Sequence, residues 1–195
     1  MGLIILTGPK HSGKTTVGRA LAEQCGGTFT DLDELVQTHT GKSPRTLFKE
    51  GPEVFRQAET EALQSLFDTK AEGDTSDQIE GVNNKFRIIA AGGGLIDNGA
   101  ALGLLKKNNA AILPLGAVTL VYLDVSAETA WERIKASAKK TGELPPFLNT
   151  DNPEETHRLL HEQRAAAYRK IAHIIIKAEG KSPEAIAKEI FAVIL

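Results

Sequence analysis

The nine-residue stretch GPKHSGKTT, residues 8–16, constrains the fold of this chain more than any other feature of the sequence. It matches the pattern Gly-x-x-x-x-Gly-Lys-Thr, in which a glycine-rich turn joins a buried strand to a helix. The apolar run GLIIL comes directly before it, and a helical pattern begins at Lys14. Backbone N–H groups of such a turn, together with the helix N-terminus, bind phosphate oxygens. The sequence therefore predicts a phosphate-binding loop at residues 8–16.

Each residue of this loop has a predicted task. Lys14 is expected to reach the β- and γ-phosphate oxygens, and the Thr15 hydroxyl is expected to ligate magnesium. His11 interrupts the glycines, and because histidine tolerates positive φ better than most residues, we interpret it first as a backbone accommodation and second as a ligand contact. The loop residues predicted to bind nucleotide are Gly8, His11, Ser12, Gly13, Lys14, Thr15 and Thr16.

Composition limits the kind of partner and the number of domains. The 195 residues, 41% of them hydrophobic, suffice for one well-buried domain spanning residues 1–195. A formal net charge of -2 provides no basic field for nucleic acid, and no apolar run approaches the roughly 20 residues that span a bilayer. One cysteine excludes an internal disulfide, and no leader pattern precedes the first apolar run. We therefore expect a cytoplasmic monomer with a small-molecule partner.

Short apolar runs alternate with longer helical patterns, which is typical of an α/β fold with a five-stranded parallel sheet flanked by helices. The predicted strands are residues 3–6, 28–31, 87–91, 118–123 and 173–176. The predicted helices are residues 14–24, 52–67, 127–139, 154–171 and 183–195, with shorter ones near 32–38, 43–50 and 98–107. The polar segment 68–85 is predicted to be a surface loop, because it is longer than most ordered connections.

Two carboxylates follow the second predicted strand. Asp31 and Asp33 are two positions apart, so an extended backbone places them on one face. A carboxylate beside a phosphate loop can hold magnesium through water, and a second can accept a proton from an attacking hydroxyl. We assign the first task to Asp31 and the second to Asp33. The alternative for Asp33 is that it only caps the helix that begins near Leu35.

Three further segments are candidates for binding an anionic acceptor. Arg56 and Glu59 lie three apart on a predicted helix, where the carboxylate can hold the guanidinium, although an ordinary surface ion pair has the same spacing. The glycines of AAGGGL, Gly92, Gly93 and Gly94, follow a strand and would let a ligand approach backbone N–H groups, although a turn without ligand remains the alternative. Arg164 lies on a helix whose spacing by itself indicates only a solvated face.

Taken together, these segments resemble the shikimate kinases, which are small kinases of the P-loop, nucleoside-monophosphate-kinase-like fold with a short lid. The resemblance rests on five blocks in the family's order: GPKHSGKTT, DLD, FRQAE, GGG, and the arginine before the Tyr-Arg pair in EQRAAAYR. It implies a single kinase domain with ATP and Mg²⁺ as cofactors. It assigns Lys14 and Asp33 to catalysis, Thr15 and Asp31 to the metal, and Asp33, Arg56, Gly92, Gly93, Gly94 and Arg164 to the acceptor, whose binding region would span about 32–60.

The lid, predicted at about 139–151, is where the sequence departs from that family. The family usually has Arg-Pro-Leu-Leu there, whereas this chain has Pro145 in the place of the arginine. An arginine that stabilises transferring charge can contribute several orders of magnitude in rate. Of the nearby cations we favour Lys140 as a nucleotide contact, because a hinge at Thr141–Gly142 could swing its ammonium inward. The alternative is a solvated surface lysine.

The resemblance implies phosphorylation of the 3-hydroxyl of shikimate by ATP. Two alternatives follow from the altered lid. One is a kinase for another sugar acid such as gluconate, which the Asp-x-Asp and Phe-Arg signatures argue against. The other is a nucleotide-binding sensor with weakened catalysis, which the retained Lys14, Thr15, Asp31 and Asp33 argue against.

Overall fold

The computed structural model describes residues 2–68, 86–108 and 118–194, and within them the predicted elements are present with their ends shifted by at most two residues. The strands are β1 Gly2–Thr7, β2 Thr28–Asp31, β3 Phe86–Ala90, β4 Val118–Asp124 and β5 Ile174–Lys177. The helices are α1 Lys14–Cys25, α2 Leu32–Thr40, α3 Pro44–Glu50, α4 Pro52–Asp68, α5 Gly99–Asn108, α6 Ala127–Thr141, α7 Pro153–Ile171 and α8 Pro183–Ile194. The predicted polar loop lies outside the described residues except at Asp68.

The five strands form one sheet in the order β2-β3-β1-β4-β5, and every neighbouring pair is parallel. This confirms the predicted fold class. Strand β1 occupies the centre, where Ile4 is paired with Ile88 on one side and with Thr119 on the other. Because parallel strands end at the same edge, the segments that follow β1, β2, β3 and β4 are brought together there.

The three middle strands β1, β3 and β4 are largely buried on both faces, so they are rich in apolar residues. Successive side chains alternate between two cores, since Ile5 packs in the core that contains helices α2 to α5, whereas Ile4 and Leu6 pack in the core that contains α1 and α8. The same alternation separates Ile89 from Ile88 in β3. This arrangement makes the central strand rigid, and the phosphate loop extends directly from its end.

Local capping fixes the segments that surround this edge. The Ser126 hydroxyl accepts a hydrogen bond from the Thr129 amide and begins α6, while Gly142, at a φ of 80°, ends it. The Asn152 side chain accepts from the Glu155 amide and begins α7. The segment between α6 and α7, which we call the lid, is therefore held at two defined helix ends. Across the described ranges, no helix combines the length and apolar character needed to cross a bilayer.

Candidate active site

A cavity of about 690 Å³ opens at the carboxyl edge of the sheet. Its walls come from the phosphate loop, the start of α2, helix α3, the glycine turn after β3, the lid and helix α7. This is the edge where open α/β sheets bind ligands, and the volume is in the range of small-molecule sites. The elements predicted to bind nucleotide and acceptor therefore meet in one space.

The phosphate loop has the backbone that its glycines predict. Gly8 and Gly13 have φ values of 153° and 95°, and His11, at 60°, is the single non-glycine residue with positive φ in the described chain. A β-carbon at position 8 would lie 2.8 Å from the Leu123 carbonyl oxygen, so a side chain there would collide with backbone. The loop is also braced by Arg133, whose Nη1 donates to the His11 carbonyl at 2.9 Å. His11 thus fits its interpretation as a backbone accommodation.

Lys14 lies across the loop that it is predicted to serve. Its Nζ donates to the carbonyl oxygens of Gly8 at 3.1 Å and Pro9 at 2.8 Å, and to the Ser12 hydroxyl at 3.4 Å. Burial lowers the pKa of this ammonium to about 8, and the nearby Asp33 carboxylate opposes that shift. A half-buried cation whose hydrogen bonds go only to neutral oxygens is suited to receiving a phosphate, because an anion would offset the cost of removing the ammonium from water. The loop therefore fits a nucleotide phosphate.

Asp31 and the Thr15 hydroxyl are already joined. Thr15 Oγ1 donates to Asp31 Oδ2 at 2.8 Å, while Asp31 Oδ1 accepts from the Asp33 amide at 3.0 Å. The carboxylate that caps α2 is therefore Asp31, and the capping alternative considered for Asp33 is wrong. A hydroxyl and a carboxylate side by side are hard oxygen donors, which is the chemistry that Mg²⁺ requires. These two residues fit a magnesium ion held next to the loop.

The Asp33 side chain does not cap α2, and it faces the cavity. Its pKa is raised, chiefly because the surrounding protein displaces water and further because Asp31 carries a negative charge, while Lys10 and Lys14 act in the opposite direction. A raised pKa makes a carboxylate a stronger base toward a hydroxyl. A side chain that faces the cavity and has a raised pKa is suited to accept a proton, and the assignment of Asp33 to that task stays a prediction.

The glycine turn after β3 packs directly on the phosphate loop. A β-carbon on Gly93 would lie 2.8 Å from the Gly8 carbonyl oxygen, so only glycine allows this approach. Tyr168, fully buried in α7, fixes the other side of the turn because its hydroxyl accepts from the Ile96 amide at 3.1 Å. Gly92 and Gly94 also line the cavity. The turn therefore links the nucleotide side of the cavity to α7.

Arg164 of α7 enters the cavity in a fixed orientation. Its Nε and Nη2 donate to Asp97 Oδ2 at 2.9 and 2.6 Å, and its guanidinium lies 5.7 Å from the centre of the Phe147 ring. A β-carbon on Gly94 would lie 3.4 Å from Nη2, so the glycine leaves room beside the guanidinium. An arginine held in this way can offer its remaining N–H groups to a carboxylate.

Glu59 is not the partner of Arg56 that its spacing suggested. Its Oε2 accepts from Asn98 Nδ2 at 2.9 Å, whereas Oε1 is buried and makes no hydrogen bond to any part of the chain that the structure describes. Burial raises the pKa of this carboxyl to about 7, and the charge of Asp33 adds to the shift, while the Asn98 hydrogen bond and Arg56 counteract it. Glu59 thus lies buried beside the glycine turn, where a β-carbon on Gly92 would be 3.5 Å from its Oε1.

The structure does not bring the Arg56 guanidinium into the cavity. Arg56 pairs with Glu53 one turn earlier in α4 and lines a separate, more open depression. Glu53 is 83% exposed, and such an i,i+3 pair contributes only about 0.2–0.5 kcal/mol, so the guanidinium is held weakly in this position. Its assignment to the acceptor stays a prediction that requires the side chain to turn inward.

The lid forms part of the cavity wall, but the predicted lysine does not. Lys139 and Lys140 are exposed on the last turn of α6 and do not line the cavity. Leu148 is fully buried against Trp131, so the lid packs on α6. The assignment of Lys140 to the nucleotide therefore has no support from this arrangement. Within the described ranges, the lysines and arginines that line the cavity are Lys10, Lys14, Arg45 and Arg164.

Four residues of the site were not predicted from the sequence. Asp97 and Tyr168 position Arg164 and the glycine turn, and Phe147 and Arg45 form part of the cavity wall. The only sequence signal for Tyr168 was its place in the Tyr-Arg pair of EQRAAAYR. The other three carry no local pattern, because their roles depend on contacts with distant segments.

Comparison with known proteins agrees with this geometry. The chain is 33% identical over 190 residues to shikimate kinase of Nitrosospira multiformis, covering 97% of this chain and 83% of that protein. It is 36% identical over 185 residues to shikimate kinase of Streptococcus gordonii, covering 94% and 95%. The solved structure of shikimate kinase from Acinetobacter baumannii in complex with shikimate superposes with a TM-score of 0.76 at 30% identity, covering 100% of this chain and 93% of that one.

A gluconokinase from Sinorhizobium meliloti also superposes, with a TM-score of 0.55 at 17% identity, covering 98% of this chain and 90% of that one. At that identity the likeness shows the fold alone. The family model described as shikimate kinase, by contrast, matches residues 10–195. That match includes most of the phosphate loop and every other residue assigned to the site. This chain belongs to the shikimate kinase family.

Proposed function

We propose that this chain transfers the γ-phosphoryl group of ATP to the 3-hydroxyl of shikimate. The observation that carries the proposal is the common cavity, in which Lys14, Asp33 and Arg164 face one space. A phosphate-binding cation, a carboxylate base and a fixed guanidinium are the groups that an ATP-dependent kinase of a hydroxy acid needs. The family supplies the identity of the acceptor.

The proposed mechanism relies on position and charge. Lys14 binds the phosphate oxygens and balances the charge that moves to the leaving group as the bond to the β-phosphate oxygen breaks. Asp33 orients the acceptor hydroxyl and accepts its proton while the new oxygen–phosphorus bond forms. When Mg²⁺ is bound by Thr15 and Asp31, it neutralises phosphate charge. The lid excludes water, which would otherwise take the phosphoryl group.

Arg164 is assigned to the acceptor carboxylate. Asp97 already occupies one side of its guanidinium, so the open side next to Gly94 remains for the ligand. Arg56 would add a second guanidinium after leaving Glu53, and the backbone of Gly93 and Gly94 would donate beside it. The expectation of a monomer stays a prediction.

A panel of hydroxy acids tests the acceptor assignment. Phosphate transfer from ATP should be measured with shikimate, gluconate and a shikimate analogue without the 3-hydroxyl, with ATP hydrolysis in the absence of acceptor as the baseline. We expect transfer to shikimate and none to the analogue. A higher kcat/KM for gluconate would reassign the acceptor, and ADP formation that no acceptor increases would indicate a nucleotide-binding module with weakened catalysis.

A further inference from the structure

An arginine of helix α3 holds the lid from across the cavity. Arg45 Nη2 donates to the Leu144 carbonyl oxygen at 2.6 Å, although the two residues are 99 positions apart. The same guanidinium forms an ion pair with Glu143. One side chain therefore makes both a hydrogen bond to the lid backbone and a charge pair with a lid side chain.

The contact lies at the point where the lid changes character. Gly142, at a φ of 80°, ends α6 immediately before the pair, and Pro145 and Pro146 follow it. The glycine side is free to hinge, whereas the two prolines fix φ and make the distal half stiff. A tether at residues 143 and 144 therefore controls the rotation of the whole stiff half.

The two sides of the lid are anchored by different forces. Beyond the prolines, Leu148 is buried against Trp131 and Ile134 of α6, so this side is held by apolar packing. On the side that faces the acceptor region, the Arg45 guanidinium supplies the polar contact, and it is only 33% exposed. Removal of Arg45 would remove this polar anchor to α3 and leave the lid held by its packing on α6 and by the contact of Phe147 with Arg164 of α7.

We propose that Arg45 is a positioning residue that latches the lid onto helix α3 and so couples closure to the acceptor-binding segment. This inference rests on the proposed function, because the latch matters for catalysis only if a closed lid keeps water from the phosphoryl group.

The latch has a consequence for chemistry and a separate one for dynamics. An unlatched lid admits water, so Arg45→Ala should raise the fraction of ATP that is hydrolysed instead of transferred by at least tenfold, with ATP binding unchanged. Arg45→Ala should also raise the rate of hydrogen exchange at least fivefold for the Leu148 and Asn149 amides. These amides donate to the carbonyl oxygens of Pro145 and Pro146. Exchange is measured on the ligand-free protein and needs no acceptor.

The chain supplies matched variants for this test. Glu143→Ala removes the charge pair but leaves the Leu144 carbonyl, so its effect should be smaller, and in the Arg45→Ala background it should add nothing further. Arg45→Lys keeps the charge but not the planar fork that serves two acceptors at once, so it should fall between Arg45→Ala and the parent. Lys42→Ala breaks an exposed ion pair with Glu50 outside the cavity and should match the parent.

The two readouts separate failure of the latch from failure of the proposed function. If Arg45→Ala exchanges at Leu148 and Asn149 at the parent's rate, or partitions ATP as the parent does, the latch is overturned. If the exchange changes as expected but neither parent nor variant phosphorylates shikimate, the acceptor assignment fails while the tether itself stands. Additive effects of Arg45→Ala and Glu143→Ala would contradict a single coupled contact.

Discussion

Replacing Glu59 by glutamine is expected to stabilise the folded chain near pH 8 and to change it much less near pH 5. Glu59 is 1% exposed, and its pKa rises from 4.5 to about 7 on burial. An acid with a raised pKa binds its proton more tightly when folded, so its contribution to stability is complete below pH 4.5 and is lost as the pH rises to 7. Glutamine stays neutral at both pH values and can still accept from Asn98.

The size of the effect follows from that shift. A difference of 7 − 4.5, or 2.5 units, corresponds at about 1.36 kcal/mol per unit to roughly 3 kcal/mol in the free energy of unfolding. At pH 5 the folded carboxyl is still protonated, and the pH is only slightly above the unfolded pKa of 4.5. The expected gain in the free energy of unfolding there is therefore about 1 kcal/mol or less. Urea unfolding of parent and variant at the two pH values measures both quantities.

The control for this prediction lies on the same helix. Glu61 is exposed and accepts from Gln57, so Glu61→Gln should change stability by no more than about 0.5 kcal/mol at either pH. A gain for Glu59→Gln that is equal at pH 5 and pH 8, or a loss at both, would refute the view that Glu59 is a buried carboxyl with a raised pKa.

Three further predictions concern the ligands. Because the pKa of Lys14 is lowered to about 8 and a phosphate would raise it again, ATP binding near pH 9 should take up close to one proton, which calorimetry in two buffers would detect; identical heats would contradict this. Asp33→Asn should lower turnover by about 10²- to 10⁴-fold, whereas Asp31→Asn should mainly raise the magnesium requirement; near-normal turnover of Asp33→Asn with saturating acceptor would remove the base assignment. Arg56→Ala should weaken shikimate binding by about 1.5–3 kcal/mol and spare ATP binding; equal losses by calorimetry would assign Arg56 to the fold.

Much of the fold could be predicted because its signals are local. The runs that form β1, β3 and β4 are apolar on both faces, and the glycines and prolines between them mark where helices begin and end. Gly8 and Gly13 adopt positive φ values that few other residues tolerate. Glycine is therefore required at these two positions, and this requirement is what makes the loop recognisable in the sequence.

The parts of the site that could not be predicted depend on contacts between distant segments. Asp31 and Asp33 were recognised as a pair, but which of them caps α2 depends on the chain's direction after β2. Glu59 faces Asn98 instead of Arg56 because α5 packs against α4, a contact that the spacing within FRQAE cannot show. The partner of Arg45 lies 99 residues away, so no pattern around either residue indicated it.

The most direct test of the central claim is the stoichiometry of phosphate transfer. Parent protein should be incubated with ATP, Mg²⁺ and excess shikimate, and the products followed by phosphorus NMR, with Lys14→Ala as the inactive control. The proposed function predicts one phosphorylated shikimate, modified at the 3-hydroxyl, for each ADP formed. Formation of ADP with inorganic phosphate alone, or a phosphorylated product at another hydroxyl, would contradict it.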